Sequence, residues 1–145
     1  MVALAQPLPE YDILRSIPGI AETTATSIID KLGDIRRLQS TNQINAFIGI
    51  DLRHYESGNF LAKEHITKRG NPYARKILFK CIHNIASASH TNLCHIADFY
   101  EKRKRQSTIA STKPHTIASI HRLIRTMYYL ITYNKLYDYT STQNR

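Results

Sequence analysis

The stretch Asn71-Pro72-Tyr73-Ala74-Arg75-Lys76-Ile77-Leu78-Phe79-Lys80-Cys81-Ile82-His83-Asn84-Ile85-Ala86-Ser87-Ala88 decides the fold class. Asn71 is a good N-cap, because its side-chain oxygen can accept from the open N–H groups of a first helical turn. Pro72 suits the first helical position, where no N–H is needed. Ala74, Leu78, Cys81, Ile82, Ile85 and Ala88 then recur at the spacing of one helix face, and Arg75, Lys76 and Lys80 spread over the rest. Such a helix must bury its apolar side against other elements, and the flanking sequence supplies helices to do it.

Downstream, a helix is expected over about Leu93–Arg105, ending in Lys102-Arg103-Lys104-Arg105. A polar connection, Gln106–Lys113, leads to Pro114, which opens a last helix with Thr112 or Lys113 in the capping position. Ile117, Ile120, Ile124, Met127, Tyr128 and Ile131 form its stripe. Upstream, short helices are expected at 10–17, at about Glu22–Leu32, at Ile35–Gln39 and at Asn42–Ile48, the last capped by Ser40 or Thr41. Residues 49–66 lose helical periodicity and read as an irregular loop or short hairpin, with 60–66 extended. The expectation is a mainly α protein with one helical domain over 10–139. Its parts are a hairpin-like unit at 10–48, a Ser-Gly loop at 49–71 and basic helices at 72–139. A loose leader at 1–9 precedes it, and a frayed polar tail at 140–145 follows.

The 145 residues carry 20 Lys/Arg against 11 Asp/Glu, a formal net charge of +9, with 42% hydrophobic content. A chain of this size and composition can bury a real core, so wholesale disorder is excluded. The charge is segregated. Residues 1–62 hold five Lys/Arg and seven acids, whereas residues 63–145 hold fifteen and four. A basic half points to a polyanionic partner, nucleic acid first. No apolar run approaches the roughly 20 residues of a bilayer span, and Met1–Ala5 lacks the features of a signal peptide. With two cysteines and no secretory signal, the expected location is the reducing cytoplasm.

Ile17-Pro18-Gly19-Ile20-Ala21, set between two helices, resembles a helix–hairpin–helix turn. Backbone N–H groups around Gly19 to Glu22 would face a phosphate at a helix N-terminus. Ala21 replaces the usual glycine and Glu22 adds a repulsive charge, so a turn that only packs the N-terminal helices is an equal alternative.

Gly49-Ile50, Arg53, Ser57-Gly58 and, after a short spacer, Ile66-Thr67-Lys68-Arg69-Gly70-Asn71-Pro72-Tyr73-Ala74-Arg75 stand in a specific order. With the Pro18-Gly19 hairpin upstream, this pattern resembles the C-terminal, serine-bearing domain of RuvC-like (DEDD) insertion-sequence transposases, the insertion-sequence-110/116/902 type, to which Piv DNA invertases are related. The likeness is good over roughly 11–98. It implies that Ser57 is a nucleophile that attacks a DNA phosphodiester and holds the strand as a phosphoserine. It implies phosphate contacts from Arg53, Lys63, Lys68, Arg69, Arg75 and Lys76, with close backbone approach at Gly58 and Gly19 and at the Gly70-Asn71 helix start. It also implies DNA as partner, a structured guide RNA encoded by the element, a homo-oligomer, and a divalent metal in the four-acid nuclease domain. These residues contain no counterpart of that domain. Asp51, Glu56 and Glu64 are too few and too local to replace it, so no cofactor is expected in this chain and recombination by the chain alone is not expected. Leu52 stands where many members have proline.

From residue chemistry alone, Ser57 before Gly58 reads as a turn residue, while Lys68-Arg69 reads as a solvated basic loop whose place against a helix start favours phosphate contact. Two other functional readings therefore stay open: a noncatalytic DNA- or RNA-binding module, and a helical protein-interaction domain. Cys81, His83, His90, Cys94 and His95 match no familiar zinc spacing. The tyrosines at 128, 129, 133, 137 and 139 fit packing better than the nucleophile of a tyrosine recombinase.

Overall fold

The central helix forms as its sequence directs. In a computed structural model, it runs Pro72–Ala88, and the Asn71 side chain accepts from the N–H groups of Tyr73 at 3.0 Å and Ala74 at 3.2 Å. The structure describes the backbone of residues 2–50, 52–53, 56–57, 60–61, 65–66 and 70–143, and side chains over 2–50 and 70–142.

In chain order the helices are α1 (Val2–Ala5), α2 (Pro9–Arg15), α3 (Glu22–Leu32), a 3₁₀ turn (Ile35–Arg37), α4 (Thr41–Ile48), α5 (Pro72–Ala88), α6 (His95–Gln106), α7 (Lys113–Thr132) and α8 (Tyr139–Gln143). Four two-residue strands, β1 (Leu52–Arg53), β2 (Glu56–Ser57), β3 (Phe60–Leu61) and β4 (His65–Ile66), lie between α4 and α5. The protein is thus a single, mainly helical domain. α5 packs on α3, α4, α6 and α7, while α7 also contacts α2, α4 and α6. Ala74, Leu78, Cys81, Ile82 and Ile85 of α5 are buried, as are Ile120, Leu123, Ile124, Met127, Leu130 and Ile131 of α7. These two stripes form the middle of the core.

Several expectations need correction. Residues 1–9 are not a loose leader: α1 packs on α3 and buries Ala5. The tail does not fray at 140, because Asp138 caps α8, its carboxylate accepting from the Thr140 N–H at 3.0 Å and hydroxyl at 2.7 Å. The Tyr139 hydroxyl also donates to Asp98 at 2.8 Å. The helix expected at Leu93 starts at His95, leaving Leu93 60% exposed, because the His95 N–H is taken by the Tyr137 hydroxyl at 3.0 Å. The helix expected over 35–39 shrinks to the 3₁₀ turn, whose Arg36 pairs with the buried Glu10, a bond that raises the Arg36 pKa. The Ser40 cap of α4 is present, accepting from the Gln43 N–H at 3.4 Å. The last helix ends where Asn134 enters positive φ (51°) and the Lys135 N–H returns to the Leu130 carbonyl at 2.9 Å. That pattern satisfies the final carbonyls of a helix, and Asn is the residue other than Gly that tolerates it best.

Gly19 has φ 92°, and a Cβ there would lie 2.6 Å from Ile85 Cα and 2.9 Å from the Asn84 carbonyl oxygen. The Pro18-Gly19 turn therefore lets α2 and α3 settle directly on the α5 backbone. Gly19→Ala is expected to lower the thermal midpoint: backbone strain alone costs on the order of 1–3 kcal/mol, and the overlap with α5 adds to it. A melting curve that superposes on wild type would refute this packing role.

Candidate nucleic-acid interface

The hairpin that carries Ser57 springs from one tight junction. α4 ends at Gly49, and its last carbonyls would be orphaned without outside donors. The Asn71 N–H donates to the Phe47 carbonyl at 2.9 Å, and Arg75 Nη1 donates to the Ile48 carbonyl at 3.2 Å. Gly70 (φ 125°) lies so close to Phe47 that a Cβ would collide with its carbonyl oxygen. The chain thus leaves α4 and re-enters α5 at a single point. Between these ends the strands nest. β1 pairs antiparallel with β4, Leu52 opposite Ile66 and Arg53 opposite His65. β2 pairs with β3, Glu56 opposite Leu61 and Ser57 opposite Phe60. Ser57 is therefore the last residue of β2. The looser of the two expected conformations for 49–66 gives way to paired strands.

The expected site residues divide as follows. Ser57 and Arg53 belong to the hairpin strands. Gly58, Lys63, Lys68 and Arg69 lie outside the described residues. Asn71, Gly70 and Arg75 are engaged by the protein itself: Asn71 caps α5, Gly70 presses on Phe47, and Arg75 is half-buried on Ile48. At the start of α5, Pro72 has no N–H, the next two N–H groups go to Asn71 Oδ1, and the Arg75 N–H goes to the Asn71 carbonyl at 3.2 Å. This helix start is already saturated. Gly19 faces α5, while Ala21 and Glu22 beside it are exposed, and Glu22 pairs with Arg15 at 3.5 Å.

Lys76 stands clear. It is exposed on α5 together with Tyr73 and Lys80, which share its face at helical spacing. Tyr73 is 68% exposed, with Lys31 Nζ 5.7 Å from its ring centre. An exposed aromatic ring flanked by three lysines is a surface for phosphates and bases. Sequence reading had placed Lys80 only as a surface residue and Tyr73 only in the motif; the 73/76/80 spacing was the signal. The basic end of α6 adds a second exposed cationic run at Lys102–Arg105.

A cleft of about 800 Å³ opens elsewhere, between α7 and the segment leading into α8. At its wall the His95 and Tyr137 rings stack, with centroids 5.6 Å apart. The Tyr137 hydroxyl accepts the His95 N–H at 3.0 Å and is hydrogen-bonded to His95 Nδ1 at 2.7 Å. Thr126 donates to the Arg122 carbonyl at 2.9 Å, which leaves its oxygen to accept from His95 Nε2 at 3.3 Å. Burial, reinforced by nearby Arg122, pushes the His95 pKa below its ordinary value. Burial also raises the Tyr137 phenol, and it lifts the Cys81 thiol to about 12, in keeping with a cysteine that only packs. Among the described residues no three His, Cys, Asp or Glu side chains stand together as a metal site. No helix is long and apolar enough to cross a membrane among them either.

Sequence comparison adds independent findings. The profile of the Transposase IS116/IS110/IS902 family matches residues 11–101, more than half of the chain. The chain is 37% identical over 76 residues to the "Transposase for insertion sequence element IS1111A" of Coxiella burnetii (strain RSA 493 / Nine Mile phase I), covering 52% of this chain and 21% of that protein. It is 35% identical over 68 residues to the "Transposase for insertion sequence element IS1328" of Yersinia enterocolitica, covering 47% and 20% respectively. The chain thus spans only about a fifth of the length of these curated relatives.

The His95 network makes stability depend on pH. The folded-state pKa is depressed, so between it and the unfolded value near 6.5 the unfolded chain binds more protons. Stability from this group is complete above about pH 6.5 and falls as pH drops through that window. Thermal midpoints measured from pH 7.5 to 5.5 are expected to fall more steeply in wild type than in His95→Gln. Parallel pH profiles would show that His95 is not the responsible group.

Proposed function

This chain belongs to the Transposase IS116/IS110/IS902 family, and from that premise we propose that it is the DNA-binding and strand-exchange part of an insertion-sequence transposase, with Ser57 as nucleophile. The observation that carries the reading is the strand pairing at Ser57: it ends β2 opposite Phe60 of β3, in a segment that leaves α4 and rejoins α5 where the Asn71 N–H meets the Phe47 carbonyl. A nucleophile must be offered to phosphorus in a repeatable geometry, and a fastened hairpin does this better than a free loop. DNA contact is supported by the basic second half and by the Tyr73/Lys76/Lys80 face.

In the proposed step Ser57 Oγ bonds to phosphorus, the bond from phosphorus to one strand oxygen breaks, and that oxygen ends with the serine proton. The reverse attack by a strand hydroxyl restores a phosphodiester and frees the serine, so religation needs no ATP. A serine hydroxyl requires activation and charge relief at phosphorus. Arg53, Lys63, Lys68 and Arg69 are the cations of the hairpin proposed to supply relief. The divalent metal of this reading belongs to a RuvC-like nuclease domain, in the same or a neighbouring subunit of an oligomer. This chain's described residues offer no set of ligands for it, and no step is routed through it. The Piv-type invertases and the guide RNA are parts of the same proposal.

A second reading, a noncatalytic nucleic-acid-binding module, is favoured by one observation: Asn71 and Arg75, two of the expected phosphate ligands, are taken up by protein contacts. A nicked DNA substrate offered with the nuclease domain separates the two. The expected result is a covalent protein–DNA adduct that maps to Ser57 and vanishes in Ser57→Ala. Binding without an adduct, or an adduct that survives in Ser57→Ala, would sink the nucleophile assignment. For the binding face, Lys76→Ala with Lys80→Ala is expected to flatten the slope of log affinity on log salt for duplex DNA by about 2, at about 0.9 per lost contact. An unchanged slope would remove this face from the interface.

A further inference from the structure

The cleft between α7 and α8 lies almost wholly beyond the residues matched by the family profile, and no step proposed above uses it. We propose that it is a binding site for one unstacked nucleotide of a single-stranded nucleic acid, whose phosphate is held by Arg122, Arg125 and Lys135 and whose base lies on the wall made by Tyr129 and Leu136. The inference goes beyond the Ser57 reading and does not depend on it.

Charge is the first argument. Arg122 and Arg125 are one helical turn apart on α7, and Lys135 faces them from the segment after it; all three line the cleft. Among the described residues none of the three has an ion-pair partner. The only acid in the lining is Asp138, whose Oδ1 accepts from the N–H and the hydroxyl of Thr140. Arg122 is half-buried, with its guanidinium 4.0 Å from the centre of the Phe99 ring, and its Nε is buried without a hydrogen-bond partner. A half-buried guanidinium and an exposed one close enough to feel each other's charge repel unless an anion bridges them. A phosphate, with several acceptor oxygens, matches such a fork.

Shape is the second argument. A volume of about 800 Å³ falls within the range of small-molecule sites and suits a nucleotide; the rounded backbone of a duplex does not enter a concave site of this kind. The non-cationic lining is partly apolar. Half-buried Tyr129, with Tyr133 4.9 Å away and tilted by 49° and Lys135 Nζ 5.7 Å from its ring centre, forms one side, and Leu136, 63% exposed, forms another. Aromatic and apolar groups beside a cation cluster are the means by which single strands are held, base on ring and phosphate on charge. An acidic peptide would use the cations but not that wall.

The test uses the full chain with same-sequence short DNA and RNA single strands, the corresponding duplex, thymidine monophosphate and inorganic phosphate. In nuclear magnetic resonance titrations, the monophosphate is expected to shift His95 and Thr126 at the cleft wall at concentrations where inorganic phosphate does not. Arg125→Ala combined with Lys135→Ala removes two exposed cations while leaving Arg122 on Phe99. It is expected to weaken single-strand binding on the order of tenfold and flatten its salt slope by about 1.4, at about 0.7 per contact. Its melting curve is expected to match wild type. Lys76→Ala with Lys80→Ala serves as the comparison, since it belongs to the duplex face; loss of duplex binding there, with single-strand binding kept, separates the two surfaces. Comparing the DNA and RNA strands identifies which carries the nucleotide. Equal response to inorganic phosphate, silence at His95 and Thr126, or undiminished single-strand binding in the cleft variant would each overturn the proposal.

Discussion

At two points around α5, backbone meets backbone more closely than any residue with a side chain would permit. Gly19 rests on Ile85 and Asn84 in its second half, and Gly70, immediately before its cap, rests on the Phe47 carbonyl. Close backbone approach of this kind is possible only for glycine, and it converts α5 from one helix among several into the axis on which both halves of the chain are hung. The acidic N-terminal helices reach the core through the first contact. The Ser57 hairpin is fastened through the second. α7 completes the arrangement by burying its stripe against the same helix, so loss of either contact would be felt across the domain.

The fastened junction also explains why several expected phosphate ligands turn out to be structural. A helix C-terminus and a helix N-terminus meet there, and each brings unsatisfied backbone groups. Asn71, the Asn71 N–H and the Arg75 guanidinium satisfy them from within the protein. What is left for a nucleic acid on α5 is the solvent face, where Tyr73, Lys76 and Lys80 have no such duty. The same economy of donors holds at His95, whose ring nitrogens and backbone N–H are all engaged by Tyr137 and Thr126. Two basic surfaces result, on separate elements: the exposed face of α5 with Lys76 and Lys80, and the cleft lined by Arg122, Arg125 and Lys135.

Much of this was legible in the residue order. Asn71-Pro72 announces the start of α5, and the stripes of α5 and α7 announce their buried faces, because capping and helical periodicity are local and repeat every three to four residues. The Ser57-Gly58 and Lys68-Arg69-Gly70-Asn71 pattern pointed to the transposase family, and the profile match over 11–101 agrees with it. The short helix at 2–5, the ordered tail and the late start of α6 were not legible. Each depends on a partner distant in sequence: α3 for Ala5, Asp98 for Tyr139, and Tyr137 for the first N–H of α6.

By itself, then, the sequence determined the helical class, the main helix starts, the segregation of charge and the family, since all of these reside in neighbouring residues or in a motif. Only the tertiary structure decided what each polar group is spent on. Whether Asn71 or Arg75 faces a phosphate or a carbonyl, whether Gly19 approaches a ligand or a helix, and whether Arg122, Arg125 and Lys135 converge are questions of which surfaces meet. Spacing along one chain cannot answer them, because a hydrogen bond or a steric contact is set by distance in space.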